Sequence, residues 1–369
     1  MKRISDFYDI EDAAAVEKDP KSQRTHPGGA CAAKKVFGRP SPTAGGVAGG
    51  ISDKPKTTRE CEIISCSRRT DVPAFFMPWA LDAIRAGYVD VTNPHNPKQV
   101  SRVSLDPRVV RCFAWWSKDY ANWLAAWRSP AEDSDSAALL HRYDSHYFNF
   151  TINTPCSDLE PGVRTSLEGR LQQMSELAAE FGPQSVVLRF DPVVHWKSLR
   201  SDNPWVVKNN LGAFDQICGA AKACGIVELT TAFAIGYPAV RARMRRRDLE
   251  LVDLDPKARV KVAKEMTEIA SSHGVRILVC SQPELLEPVD LGGAGFCQGC
   301  CINGNNISMM LIERGKPGLS RVGLKKDGGQ RTTCYCSKSI DIAGYGQKFA
   351  CGHSCAYCYA NPAPVPANS

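Results

Sequence analysis

The sequence predicts an α/β fold, a TIM-barrel-like or partial (β/α) barrel of mostly parallel strands. Two observations predict it. Short runs rich in β-branched and aromatic residues alternate with amphipathic stretches long enough to be crossover helices. Polar and charged residues follow these runs, where a parallel barrel gathers its strand ends on one rim.

Residues 1–57 read as an unstructured extension. From His26 to Lys56 they are rich in Gly, Pro, Ala, Ser and Lys and show no apolar period. Cys31 in this stretch, like Cys112, Cys156, Cys218 and Cys224 further on, has no ligand spacing. A barrel-like domain is expected over 58–290. Its strands are Cys61–Cys66, Tyr88–Val91, Val100–Val103, Arg111–Trp116, His146–Ile152, Ser185–Phe190, Ile226–Thr231 and Val275–Cys280. Helices are expected over Pro78–Ala86, Leu167–Phe181, Val206–Cys224 and Pro256–His273. Residues 291–369 form a cysteine-rich segment that completes the same domain, with one helix-like run at Ile307–Arg314.

The polar strand ends supply candidate site residues. They are Ser67, Arg68 and Asp71 after the first run, Asn93 and Lys98 around an Asn/Pro turn, Lys118, and the pair Arg189 and Asp191. Arg68, Asp71, Lys118, Arg189 and Asp191 are the catalytic candidates; Ser67, Asn93 and Lys98 join them in binding a cofactor or the carboxylate and phosphate groups of a substrate. Polar loops also follow strands in inert proteins, so position alone does not assign these roles.

Composition narrows the class. The chain has 369 residues, 43% hydrophobic and 23% charged, as in a soluble globular protein. It has no apolar run of membrane-spanning length and no signal-peptide core, so no membrane association and a cytoplasmic location are expected. A net charge of +7 does not by itself argue for nucleic acid. The run Arg241-Ala-Arg-Met-Arg-Arg-Arg247 is a local candidate for gripping phosphates, with a solvated helix face as the alternative.

Of 16 cysteines, eight lie between Cys297 and Cys358. Their concentration at one end of a long chain points to metal binding and not to a disulfide framework. Cys351, Cys355 and Cys358 offer three thiolates from one short loop. A [4Fe–4S] cube normally takes four cysteines, so three leave one iron open to chelate the amino and carboxyl groups of S-adenosylmethionine (SAM). Tyr357, just before the last cysteine, is placed to shield a cluster or approach the adenine. Zinc is the main alternative, although zinc ribbons use two separated pairs. Cys280, Cys300, Cys301, Cys334 and Cys336 are candidates for a second centre: four of the five complete an auxiliary [4Fe–4S] cluster, the alternatives being one zinc site or free thiols. Cys297 is a further candidate.

The triplet with its aromatic residue is similar to the radical SAM superfamily motif. More broadly, the chain resembles the bacterial DUF1848 family, from Ile64-Ser-Cys-Ser-Arg-Arg-Thr-Asp-Val-Pro-Ala-Phe75 to Cys355-Ala-Tyr-Cys-Tyr-Ala-Asn361. Asn93-Pro-His-Asn-Pro-Lys-Gln-Val-Ser101, Phe150–Ile152, Arg189-Phe-Asp-Pro192, Gly299-Cys-Cys-Ile302, Gln330-Arg-Thr-Thr-Cys-Tyr-Cys336 and Ser339-Ile-Asp-Ile342 carry the likeness between them. That family has a C-terminal cysteine group like the one near the N-terminus of radical SAM enzymes. The resemblance implies a radical SAM-type enzyme with SAM and an electron donor such as ferredoxin or flavodoxin as partners, and it does not supply a substrate. It also implies a circularly permuted barrel, with Ser339–Ala343 as the strand before the cluster loop. Two departures stand out: the loop between Asp341 and Cys351 is long for the family, and Gln282 and Asn303 occupy positions where acidic residues are expected. The last dozen motif residues also resemble spore photoproduct lyase-like enzymes, which keeps nucleic-acid modification open as a competing function. The remaining competitor is a non-catalytic iron–sulfur or zinc protein for electron transfer or redox sensing.

Overall fold

Eight parallel strands form the central sheet of a computed structural model that describes residues 57–93, 96–286, 293–319, 321–360 and 362–364. They are β1 (Ile63–Cys66), β2 (Cys112–Ser117), β3 (Ser145–Thr151), β4 (Val186–Val193), β5 (Glu228–Phe233), β6 (Arg276–Val279), β7 (Cys297–Gln298) and β8 (Ile340–Asp341). Their spatial order is β8-β1-β2-β3-β4-β5-β6-β7, with every neighbouring pair parallel. The first seven strands thus follow chain order, and the last lies outside the first. No pairing joins β7 to β8 among the described residues, so the fold is a partial, barrel-like α/β sheet and not a closed barrel.

These runs form parallel strands because both faces are covered. Ile63, Ile64, Ser65 and Cys66 are all buried, the near-continuous pattern expected of such strands. On one face, Phe113, Trp115, His146 and Phe148 meet Trp123 of α1 (Ala121–Trp127) and Phe181 of α2 (Leu167–Phe181) in an aromatic layer. His146 is neutral there: Trp115 Nε1 donates to its Nδ1 at 3.1 Å, its Nε2 faces Leu140 O at 3.1 Å, and burial pushes its pKa down to about 3. On the other face, Ile63, Cys112, Ala114 and Tyr147 pack against Ile307, Met310 and Leu311 of the helix Gly304–Glu313.

Local chemistry sets the helix ends. α2 spans the predicted residues because Ser166 accepts from Gly169 N at its start and Gly182, in a positive-φ conformation, follows its end. The helix Pro256–Ser272 starts after Asp255, which accepts from Ala258 N, with proline in the first turn. The helix expected over Val206–Cys224 is shorter, Phe214–Ala223, because Lys208–Asn209 pairs instead with His195–Ser198 in a small antiparallel sheet. Tyr88–Asn93 and Asn96–Ser104 are strands as expected, but they pair antiparallel and join Thr58–Arg59 in a separate sheet. Their turn therefore ends no strand of the central sheet.

Lys56–Ser369 is one compact unit, and the cysteine-rich segment contributes β7 and β8 to the shared sheet. The expected extension lies outside the described residues apart from Thr57. Among the described residues, no helix is long and apolar enough to cross a membrane.

Candidate functional site

The Cys351–Cys358 loop follows β8 and sits over the C-terminal ends of β1, β2 and β3. Its placement begins at β8, a strand of two residues held largely by one side chain. Asp341 accepts from Ser65 Oγ at 3.0 Å, Ser67 Oγ at 2.5 Å and Arg68 N at 2.7 Å. Arg69 donates to Ala343 O at 3.0 Å, just beyond the strand.

Four sets of contacts then hold the loop. Asp71, after β1, accepts from Ala74 N (2.9 Å), Ser117 Oγ (2.8 Å), Lys118 N (2.8 Å) and His353 Nε2 (2.8 Å), so one buried carboxylate ties the β1 and β2 ends to the loop. Second, Glu160 Oε1 gathers Lys118 Nζ (2.9 Å), Asn153 Nδ2 (2.8 Å) and the Tyr357 hydroxyl. Burial pushes Glu160 up, but the Lys118 charge and the Tyr357 and Lys118 hydrogen bonds outweigh it and bring the carboxyl down to about 2. Third, backbone joins backbone: Ala356 N donates to Leu159 O at 2.8 Å and Gly162 N to His353 O at 3.1 Å. Fourth, Arg243 and Arg247 donate to the carbonyls of Cys358 and Ser354, the latter at 2.6 Å.

Burial acts on two thiols of this loop. Burial pushes Cys351 up to about 12 and Cys355 well above the usual thiol range, with Lys118 opposing the shift at Cys355. Such thiols release their protons when a metal supplies the compensating charge.

A second set of cysteines converges on the sheet face covered by Gly304–Glu313. The Sγ atoms of Cys280, Cys301 and Cys336 lie within 4.8 Å of one another, a group that can hold a metal ion. Cys334, two residues before Cys336, is buried in the same hydrophobic cluster. Cys336 is held far below the ordinary thiol range, first by Cys280 and then by Cys301 and Cys334 as donors, with the Arg68 charge assisting. Arg189 donates to Cys301 Sγ at 2.6 Å and pairs with Asp191. The guanidinium groups of Arg68 and Arg189 lie 5.2 and 5.1 Å from the centroid of the Trp116 ring, whose Nε1 donates to Ser65 Oγ at 3.0 Å. Cys300 packs beside the set without joining the group of three. Cys297 is exposed.

Most of the predicted residues meet, in two connected places. Asp71, Lys118 and Tyr357 hold the triplet loop; Ser67 and Arg68 hold β8; Arg189 and Asp191 lie beside the second set. Asn93 and Lys98 do not join them. Asn93 donates to Gln99 at 2.7 Å and Lys98 N faces Asn96 at 3.3 Å, both within the separate hairpin. The arginine run is likewise turned inward: Arg241 pairs with Asp253 while Arg243 and Arg247 brace the loop, leaving Arg245 and Arg246 exposed.

Sequence reasoning missed Glu160, Asn153, His353, Asp341 and Tyr359 as site residues. Asp341 lies inside a quoted motif and His353 between the first two cysteines of the triplet, so both could have been read there. Glu160 is an acid in a Gly/Pro loop with no local signal. Tyr359, just past the triplet, has Asp191 and Arg189 as charged neighbours. The departures at Gln282 and Asn303 also gain reasons. Gln282 accepts from Phe233 N at 2.8 Å and donates to Phe233 O at 3.1 Å, a pairing that an ionised carboxylate cannot complete. Asn303 caps the helix Gly304–Glu313 by accepting from Asn305 N and Asn306 N.

A family model described as a domain of unknown function, DUF1848, matches residues 63–360. No curated protein and no solved structure matches the chain.

Proposed function

Because the chain belongs to the DUF1848 family, whose C-terminal cysteine group its own sequence reproduces, we propose that it is a radical SAM-type iron–sulfur enzyme. The observation that carries this reading is the seating of three cysteines, on one braced loop, at the C-terminal rim of a parallel sheet. That rim is where α/β barrels place their chemistry. The strand order supports the reading further. With β8 counted first, the order β8-β1-β2-β3-β4-β5-β6-β7 is that of a barrel whose cluster loop follows its first strand, with the chain opened between that strand and the next.

The donor set fits a [4Fe–4S] cluster. Cys351, Cys355 and Cys358 influence one another electrostatically, yet they are not drawn to within 4.8 Å as the other set is. Thiolates that each serve a different iron stand farther apart than those around a single ion. When bound, such a cluster supplies an open iron for the amino and carboxyl groups of SAM and the electron that cleaves its C–S bond.

The chain's own residues do the rest. Asp71 and Glu160 fix the loop through His353 and through Lys118 and Tyr357. Lys118 places a positive charge near Cys355. Arg68, Arg189 and Asp191, beside the second cysteine set, supply charges for the carboxylate and amino groups of bound ligands. Asn149, buried two positions before Thr151, the partner of Arg189 across β3 and β4, has neither amide atom partnered among the described residues, as expected where a polar ligand completes the lining.

The test is anaerobic reconstitution followed by EPR with and without SAM. The reduced wild-type chain is expected to change its cluster spectrum on SAM addition and to release 5′-deoxyadenosine or a related cleavage product, while Cys355→Ser does neither. A fully loaded, reduced cluster that leaves both SAM and its own spectrum unchanged would reduce the reading to a non-catalytic iron–sulfur protein.

A further inference from the structure

We propose that Cys280, Cys301, Cys334 and Cys336 form a separate tetrathiolate site for one tetrahedral divalent ion of the zinc class. The inference is independent of what the Cys351–Cys358 loop binds. It rests on convergence from four places: the end of β6, the turn after β7, and two alternate residues of the segment that leads to β8.

Spacing decides between one ion and a cluster. Four sulfurs about 2.3 Å from a single ion stand about 3.8 Å apart in a tetrahedron. Three of these sulfurs already lie within 4.8 Å of one another, and the fourth, on Cys334, is buried in the same cluster two residues before Cys336. A cubane cluster, with one thiolate on each of four irons, needs a wider set. Cys301, Cys334 and Cys336 are buried, at 6%, 7% and 3% exposure, so the site is closed, as structural zinc sites are.

The charges balance. Four thiolates around one divalent ion make a complex of charge −2, the thiols giving up to solvent the protons they still carry. Arg189, already donating to Cys301, and Arg68, beside Cys336, offset that charge from the adjoining sheet.

The site also has a mechanical consequence. Between Pro317–Leu319 and β8 the described chain forms no helix or paired strand beyond one isolated bridge, Lys326 to Ser337. A metal would clip this segment to β6 and β7 and so fix the approach to β8 and the loop beyond it.

The experiment is metal analysis of the full chain purified anaerobically, with X-ray absorption at the zinc edge. The expected result is about one zinc per chain with four sulfur neighbours near 2.3 Å. Cobalt exchanged into the wild-type chain should show the absorption of a tetrahedral sulfur site, a readout that needs no variant. Cys334→Ser should lower zinc at least tenfold while iron stays at the wild-type level, and Cys300→Ser should change neither metal. Replacing Cys351, Cys355 and Cys358 together should remove iron and leave zinc. Absence of zinc, or loss of about four irons from Cys334→Ser, would overturn the proposal in favour of a second cluster.

Discussion

Asp71→Asn isolates the rim clamp without changing its shape. In the wild type each carboxylate oxygen accepts two donors: Oδ1 takes Ala74 N and Ser117 Oγ, and Oδ2 takes Lys118 N and His353 Nε2. An amide has one acceptor and one donor end. With the NH2 toward Lys118 N, that backbone N–H loses its partner; turned the other way, Ala74 N loses its own. The Ser117 hydroxyl and the His353 ring can each reverse roles, but a backbone N–H cannot. One orphaned buried donor costs about 1–3 kcal/mol, and losing the charge on the surviving bonds adds about 1 kcal/mol. The expected loss is therefore about 2–4 kcal/mol in guanidinium unfolding of the iron-free chain at pH 7. Because His353 sits between Cys351 and Cys355, iron content after reconstitution should fall as well. Unchanged stability (within about 0.5 kcal/mol) together with full iron loading would refute the clamp.

Three other outcomes follow from the same contacts. Gly162→Ala would place a methyl group against the backbone of Gly352 and 2.8 Å from His353 C, so the loop must shift; iron loading should drop, as measured by metal content, while far-UV circular dichroism stays the same. Arg247→Ala should lower iron retention on dialysis and leave binding to DNA or RNA unaltered; loss of a salt-dependent affinity for nucleic acid would instead restore the phosphate-gripping role of the arginine run. Acid should destabilise the fold through His146. Its folded pKa, about 3, lies below the ordinary 6.5, so its contribution is fully present above pH 6.5 and is lost as pH falls toward 3. That amounts to about 2 kcal/mol by pH 5, and His195, lowered to about 4 by burial, acts in the same direction. Urea unfolding of wild type and His146→Phe at pH 7 and pH 5 checks it: the wild type should lose more stability than the variant.

The sequence by itself determined whatever depended on short spacing. The 3.6-residue period of Leu167–Phe181, the unbroken apolar runs of the central strands and the three thiolates of Cys351–Cys358 are local features, and local sterics or ligand reach suffice to read them. Tertiary structure decided the rest, because its causes lie far apart in the chain. Pairing decided that Tyr88–Ser104 leaves the main sheet, taking Asn93 and Lys98 away from the site. It also placed β8 beside β1, through an Asp341 whose partners are more than 270 residues away. A lone Glu160 gained its role only when burial brought Lys118, Asn153 and Tyr357 onto one oxygen. Among five candidate cysteines, spacing in the sequence left every set of four open. Strand register brought Cys280 near Cys301, and the bond from Ser337 N to Ile302 O brought Cys336 beside them, because closing such a group requires the fold to pay the entropy of joining distant chain segments first.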